Sequence, residues 1–175
     1  MTAPPEGLQR QGPVVIGYDG SAVSERALQE AAALLAPRPA LVVVVWEPGR
    51  AFEAALSPLA MEFPLPAVDL RTAFELDRAA SEAAERTAQQ GAARARSMGL
   101  PADALVVADE TTVAETLVRV AGEQDALALV IGAHTHGALS EVVLGSTSRD
   151  VLRHAPCAVV VVREKRDRRR EGAGS

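Results

Sequence analysis

The stretch Gly132-Ala-His-Thr-His-Gly-Ala-Leu-Ser-Glu-Val-Val-Leu-Gly-Ser-Thr-Ser148 is the most informative part of this chain. It follows an apolar run at 127–131, which predicts a buried strand, and it leads into residues 148–154, which predict a helix. Glycines let a backbone come close to a ligand, and the N–H groups and dipole of a helix start favour an anion. The stretch therefore predicts a phosphate-binding loop between a strand and a helix.

Size and composition predict one folded domain. The 175 residues suffice for a single core, and 48% of them are apolar while only 3% are aromatic, so Val, Leu and Ala must fill that core. The longest apolar run, at 40–46, is far too short to span a membrane, and no apolar signal segment follows Met1. A single cysteine, Cys157, excludes an internal disulfide. These features predict a cytoplasmic protein with no membrane partner.

Charge and proline content predict flexible termini on either side of this domain. The net charge of −5 argues against nucleic-acid binding, although basic residues predominate after position 162. Residues 164–175 are expected to form a charged, flexible C-terminal tail, and residues 1–12 a flexible N-terminal tail. The domain itself is expected to span residues 13–163.

Apolar strands alternate with helices along this domain. The strands are predicted at 13–18, 41–46, 104–108, 127–131 and 158–162, and the helices at 21–36, 71–98, from 112 onward and at 148–154. Residues 50–70 hold three prolines and are expected to form an irregular excursion. The alternation predicts an α/β protein with a doubly wound, open parallel five-stranded sheet.

The long helix predicted at 71–98 carries a stripe of mostly small residues, which would let it lie close to its neighbour. The stripe consists of Ala73, Leu76, Ala80, Ala84, Ala88, Gly91, Ala95 and Met98.

Ligands of such sheets bind beyond the carboxyl ends of the strands, where the strand order reverses. Tyr18 and Asp19 follow the first strand, Val45 ends the second, and Gly132 follows the fourth. They can meet only if strands one and four are neighbours, which the strand order 3-2-1-4-5 achieves. Asp109 follows the third strand and is expected to lie away from this point, as a charge at a helix start.

With these residues the chain resembles the universal stress proteins, and the likeness covers nearly everything from Val14 to Arg163. It rests on Val-Val-Ile-Gly-Tyr-Asp-Gly-Ser at 14–21, Leu-Gly-Ser at 144–146 and His-Ala-Pro-Cys-Ala-Val-Val-Val-Val-Arg at 154–163. The resemblance implies a Rossmann-like, adenine-nucleotide-binding fold. It also implies a stress-response sensor or regulator that holds ATP or another adenine nucleotide, and a homodimer paired through the last strand, residues 158–162.

Members of this family that hold ATP carry Gly-x-x-Gly, nine residues, and then Gly-Ser or Gly-Thr. Gly132, Gly145 and Ser146 match this motif, but Thr135 replaces the second glycine. If that position needs a positive φ or a bare backbone, Thr135 strains the loop or blocks the phosphate; alternatively, its hydroxyl donates to the phosphate. If the loop is only strained, Thr135→Gly is expected to tighten binding.

The resemblance also implies roles for individual residues. Asp19 would lie near the ribose and a metal ion, which would be Mg²⁺ held chiefly by the phosphates, and Val45 would pack against the adenine. Backbone and hydroxyl groups at the helix start would hold the phosphates. The complete candidate nucleotide site comprises Gly17, Tyr18, Asp19, Val45, Ile131, Gly132, Thr135, Gly145, Ser146, Thr147 and Ser148.

Three other residues invite a chemical interpretation. His134 and His136 lie two apart but lack a cysteine or acidic partner at metal-ligand spacing, so phosphate contact or solvent exposure is favoured over a metal pair. Cys157 opens a predicted buried strand and is expected to be a packed thiol rather than a nucleophile.

Three functional hypotheses remain. The leading one is a nucleotide-binding regulator with slow or no ATP hydrolysis, because Asp19 is the only candidate general base and the one lysine, Lys165, lies in the predicted tail. The alternative is a family member that has lost nucleotide binding at Thr135 and acts only through protein contacts as a dimer. The third, an adenylating enzyme, is disfavoured because no Ser-Gly-Gly-type loop follows the first strand.

Overall fold

The computed structural model describes residues 12–49, 70–109, 111–133 and 145–163. Four predictions fall wholly or mostly outside these residues. They are the excursion at 50–70 except for its last residue, the N-terminal tail at 1–12 except for its last residue, the C-terminal tail at 164–175, and the candidate residue Thr135 with both loop histidines.

Within the described residues, five parallel strands form one sheet in the order β3-β2-β1-β4-β5. In the register of this sheet, Val14 pairs with both Ala40 and Ala128, and Ala128 in turn pairs with Ala158. The predicted fold class and strand order are therefore confirmed. The strands are β1 (Val14–Gly17), β2 (Ala40–Trp46), β3 (Ala102–Ala108), β4 (Ala128–Ala133) and β5 (Ala158–Arg163).

Helices cover both faces of the sheet and create two apolar cores. Side chains of successive strand residues point to opposite faces, so Val14 and Ile16 join one core while Val15 joins the other. The first core lies under α1 and α2, and the second under α3 and α4. None of the described helices is long and apolar enough to cross a bilayer. The helices are α1 (Ala22–Leu35), α2 (Leu70–Ser97), α3 (Val113–Glu123) and α4 (Ser146–His154).

Only part of the small-residue stripe of α2 is buried. Ala84, Ala88 and Ala95 are buried as expected, but Ala80 is exposed, as are Leu76 and Met98. An α-helix has about 3.6 residues per turn, so each step of four residues rotates the side chain by about 40° around the axis. Leu76, Ala80, Ala84 and Ala88 therefore spread over about 120° of the helix surface, which is too wide for all four to face the sheet.

A side-chain contact fixes the turn after β2 to α2. Both carboxylate oxygens of Asp77 accept a hydrogen bond from the backbone N–H of Gly49, each at 2.9 Å. Gly49 has a φ of +81°, which glycine adopts without strain. The turn after β2 is consequently held against the N-terminal part of α2.

Candidate functional site

A cavity of about 280 Å³ lies at the carboxyl ends of β1, β2 and β4. This is where the strand order reverses, because β1 is followed by β2 on one side and flanked by β4 on the other. The volume is close to the lower end of the range for small-molecule sites, about 300 to 1,000 Å³. The residues that line it are Gly17, Tyr18, Asp19, Ser21, Val23, Ser24, Val43, Val45, Val113, Leu117, Ile131, Gly132 and Thr147. We call it the switch-point cavity.

The structure brings most of the predicted site residues together in this cavity. Those that line it are Gly17, Tyr18, Asp19, Val45, Ile131, Gly132 and Thr147. Three other predicted residues do not line it: Gly145 precedes α4, Ser146 lines a neighbouring cavity, and Ser148 is buried with 3% of its surface exposed.

Close packing alone favours glycine at two positions of the candidate site. A Cβ on Gly132 would lie 3.0 Å from the backbone carbon and oxygen of Val23, and a Cβ on Gly17 would lie 3.1 Å from a methyl group of Leu117. Helices α1 and α3 can approach the strand ends this closely because these positions carry no side chain. The match of Gly132 to a phosphate-binding motif thus has a structural reason that does not need a phosphate.

Asp19 is held in place by the start of α1. Its Oδ1 accepts from the backbone N–H of Ser21 at 2.9 Å, and Gly20 between them has a φ of +78°. The Ser21 hydroxyl in turn accepts from the backbone N–H of Ser24, which caps the helix. The exposed Asp19 carboxylate is therefore presented at the cavity by a turn of fixed geometry.

Tyr18 connects the cavity to both helices of the first core. Its hydroxyl donates to a carboxylate oxygen of Glu25 in α1, and Glu25 pairs with the Arg94 guanidinium of α2 at 2.9 Å. Burial of the phenol and its hydrogen bond to Glu25 raise the pKa of Tyr18 to about 12. The residue is thus a neutral, fixed wall of the cavity rather than a proton-transfer group.

The start of α4 differs from the starts of α1 and α3. Ser21 and Thr112 cap those two helices through their side chains, and each has a glutamate in its first turn. α4 begins after Gly145 with no side-chain cap and no acidic residue in its first turn. The N–H groups at a helix start lack intrahelical partners, and the dipole there is positive, so this end can accept an anion beside Thr147.

A second cavity of about 550 Å³ adjoins the first, and we call it the acidic cavity. The two share Val113 and Thr147. The acidic cavity is lined by Glu47, Pro48, Asp109, Thr111, Thr112, Val113, Ala114, Ser146, Thr147 and Asp150.

The expectation that Asp109 lies away from the reversal of strand order holds: it does not line the switch-point cavity, but it does line the acidic cavity beside it. β3 pairs with β2 along its whole length, and the Asp109 N–H donates to the Trp46 carbonyl at 2.7 Å, so this residue reaches the wall of the acidic cavity. The predicted position of Asp109 before a helix is also observed, because it lies just ahead of α3 and contacts its first residues. The Asp109 Oδ1 accepts from the Thr111 N–H at 3.0 Å and from the Thr116 hydroxyl at 3.2 Å.

Ser21 belongs to the loop after the first strand, but five other lining residues of the switch-point cavity were not anticipated from the sequence. Val43 lies two residues before Val45 and so shares its face of β2, which strand alternation could have indicated. The other four belong to α1 and α3, and the sequence alone does not show where these helices lie against the sheet. The five are Val23, Ser24, Val43, Val113 and Leu117.

The other chemically suggestive residues lie outside both cavities or outside the described residues. Cys157 is half-buried against the second core and Trp46 is half-buried against the first. Among the described residues, no three His, Cys, Asp or Glu side chains are close enough to share a metal ion.

Together, the sheet order and the cavity define a doubly wound α/β protein with a small-molecule-sized cavity at its switch point. Known proteins agree with this class. The model of the universal stress protein family matches residues 12–163, and the chain belongs to this family. Among curated protein sequences, no relative matches the chain.

Solved structures of other universal stress proteins share the fold. One from Archaeoglobus fulgidus in complex with dAMP is 22% identical, with 86% of this chain and 97% of that chain covered and a TM-score of 0.58. One from Arabidopsis thaliana with AMP bound is 14% identical, with 89% and 94% covered and a TM-score of 0.59. A third, in complex with cAMP, is 20% identical, with 88% and 98% covered and a TM-score of 0.56.

Proposed function

We propose that this chain binds ATP or another adenine nucleotide in the switch-point cavity and acts as a cytoplasmic stress-response sensor or regulator. The observation that carries the proposal is that one cavity collects an apolar wall, a carboxylate and a helix start, at Val45, Asp19 and Thr147 respectively. Three structures of the same fold were solved with adenine nucleotides, namely dAMP, AMP and cAMP.

The lining residues fit the parts of such a ligand. Val45 and Ile131 offer an apolar surface suited to a base, and the Asp19 carboxylate can accept hydrogen bonds from ribose hydroxyls. The start of α4 offers backbone N–H groups, and Ser146 and Thr147 offer hydroxyls, suited to a phosphate. Bound Mg²⁺ would neutralise part of the phosphate charge, with Asp19 as a nearby carboxylate.

Slow or absent hydrolysis follows from the composition of the cavity. None of the described residues that line it is a lysine or an arginine, so no cationic side chain among them offsets the charge that develops on a phosphate in a transition state. Asp19 is the only described lining residue with a carboxylate, and its Oδ1 accepts from Ser21. These features favour binding over turnover.

Calorimetric titration of AMP and of ATP with Mg²⁺ into the full chain tests the proposal. Asp19→Ala is expected to weaken binding by about tenfold or more, because it removes a charged hydrogen-bond acceptor. Asp103→Ala is the matched control: it changes the net charge equally, but Asp103 lies exposed at the opposite, amino end of β3. Undetectable binding of both nucleotides to the unmodified chain would refute the proposal.

The second part of the proposal is that the chain forms a dimer through β5. Such a dimer would also be needed under the alternative hypothesis, in which the chain binds no nucleotide and acts only through protein contacts. β5 is an edge strand, and its Val159, Val160 and Val161 are only half-buried. A groove beside it is lined by residues of α1 and β5, including Leu34, which is 64% exposed. An exposed apolar edge of this kind favours pairing with a second copy.

A further inference from the structure

The Ser24 hydroxyl is a buried polar group beside the switch-point cavity. Ser24 lies in the first turn of α1, three residues after the cap Ser21, and only 4% of its surface is exposed. It lines the cavity together with Asp19 and Ser21. A buried hydroxyl needs hydrogen-bond partners within the protein, so its contacts show what it holds in place.

This hydroxyl contacts both ends of the turn formed by Asp19, Gly20 and Ser21. It donates to the Ser21 carbonyl oxygen at 3.0 Å, and it accepts from the Ser21 hydroxyl at 3.3 Å and from the Asp19 backbone N–H at 3.4 Å. A hydroxyl has one proton to donate and two lone pairs with which to accept. All of them are used inside the turn, so the Ser24 hydroxyl acts on the turn and not on a ligand.

Asp19 fastens the same turn in the opposite direction. At many helix starts the side chain of the third helical residue accepts from the backbone N–H of the cap. Here the Asp19 Oδ1 accepts from that N–H at 2.9 Å, and the Ser24 hydroxyl reaches past the cap to the N–H of Asp19. The first turn of α1 is itself packed against the end of β4, where a Cβ on Gly132 would lie 3.0 Å from the Val23 backbone. Ser24 thus ties the main chain of Asp19 to a closely packed helix.

We infer that Ser24 is a positioning residue for the ribose of the proposed nucleotide: through the Asp19 main chain, its hydroxyl holds the Asp19 carboxylate where it can accept from the ribose hydroxyls. The inference rests on the proposed function and adds a second residue to the recognition of the sugar. A carboxylate that is fixed before binding loses less conformational freedom when the ligand arrives, so it contributes more to affinity than a mobile one. The preference for a sugar that carries hydroxyls therefore depends on Ser24 as well as on Asp19.

Calorimetry with AMP and with dideoxy-AMP, which lacks both ribose hydroxyls, tests this role. The unmodified chain is expected to bind AMP about tenfold more tightly than dideoxy-AMP. Ser24→Ala is expected to weaken AMP binding by about three- to tenfold and to leave dideoxy-AMP binding nearly unchanged. In an Asp19→Ala background, Ser24→Ala is expected to change AMP binding by less than about twofold, because the carboxylate that Ser24 positions is then absent.

Thr116→Val is the matched control for the loss of a buried hydroxyl. Thr116 is 3% exposed, and its hydroxyl donates to Asp109, but it lines neither cavity. Both Ser24→Ala and Thr116→Val are expected to lower the thermal midpoint of the unliganded chain. Only Ser24→Ala is expected to change the ratio of AMP affinity to dideoxy-AMP affinity, which a purely structural role would not alter.

Three results would overturn the inference while the proposed function stands. The first is an unmodified chain that binds dideoxy-AMP as tightly as AMP. The second is a Ser24→Ala chain in which the affinities for both nucleotides fall equally or not at all, and the third is an equal loss of AMP affinity with and without the Asp19 carboxylate. If neither AMP nor ATP binds the unmodified chain, the inference and the proposed function fail together.

Discussion

At the scale of single residues, Tyr18 shows how one side chain serves both the fold and the site. It lies 6% exposed at the end of β1, lines the switch-point cavity, and donates to Glu25, which Arg94 also contacts. The sequence placed Tyr18 and Asp19 correctly beside the cavity because residues after a parallel strand must emerge at its carboxyl end. It could not indicate the contact to Arg94, which depends on where α2 crosses the sheet.

The raised pKa of Tyr18 predicts a loss of stability at alkaline pH. The folded value is about 12 and the ordinary value is 10.0, so folding favours the protonated phenol. This contribution, on the order of 2 kcal/mol, is complete below pH 10 and is lost as the pH rises to about 12. Phenolate absorbance measures it directly, because Tyr18 is the only tyrosine in the chain.

The same titration in denaturant supplies the control, since the unfolded chain should ionise near the ordinary value. In Tyr18→Phe the free energy of unfolding is expected to lose this alkaline dependence. An ionisation of the folded protein at the ordinary pKa would contradict the contact between Tyr18 and Glu25.

At the scale of elements, the sequence predicted well which segments are strands and which are helices, but it predicted less well where each one begins and ends. Apolar runs bounded by glycine and proline predicted all five strands. α4 was expected from 148 but begins at Ser146, because serine and threonine suit both a helix start and the loop before it. The exposed positions of α2 were mispredicted because a spacing of four residues drifts around the helix.

The close approach of α2 to the sheet predicts opposite effects for two glycine substitutions. A Cβ on Gly91 would lie 2.9 Å from two ring carbons of Tyr18 and from a methyl group of Val42, so Gly91→Ala is expected to lower the free energy of unfolding by about 1–3 kcal/mol. On Gly122 of α3 the nearest contact would be 3.8 Å from Pro156, an ordinary separation. Gly122→Ala is therefore expected to raise the free energy of unfolding by about 0.5–1 kcal/mol.

Chemical denaturation of the two variants side by side provides the measurement. Because both replace a helical glycine with alanine, both gain helix propensity, and they differ chiefly in the space around the new methyl group. Equal effects of the two substitutions would show that α2 does not press against Tyr18.

At the scale of the whole molecule, the strand order was predictable because the candidate residues could meet only if β1 and β4 were neighbours. The division of the site into two cavities was not predictable. The second cavity is lined jointly by the residues after β2, the residues after β3 and the first turns of α4, including Asp109, Ser146 and Thr147. Side chains from three loops of unrelated sequence are involved, and no local pattern couples them.

The proposed dimer gives a prediction at this scale. Leu34→Glu places a charge in the groove beside β5 and is expected to shift the chain from dimer to monomer in size-exclusion chromatography with light scattering, without lowering the thermal midpoint of the monomer. Leu76→Glu is the control, because Leu76 is 50% exposed on α2, which packs on β2 and β3 at the other end of the sheet. A chain that is monomeric before any substitution would refute the proposed dimer.

The hydrogen bond from Gly49 to Asp77 fastens the turn after β2 directly to α2. The sheet and α2 are therefore attached to each other at this point independently of the length of chain that connects them. Closing a longer connection costs little free energy, about 0.6 kcal/mol for each doubling of its length. Relatives could therefore diversify here while the sheet and its cavities stay as they are, and a protein engineer could graft a reporter at the same position.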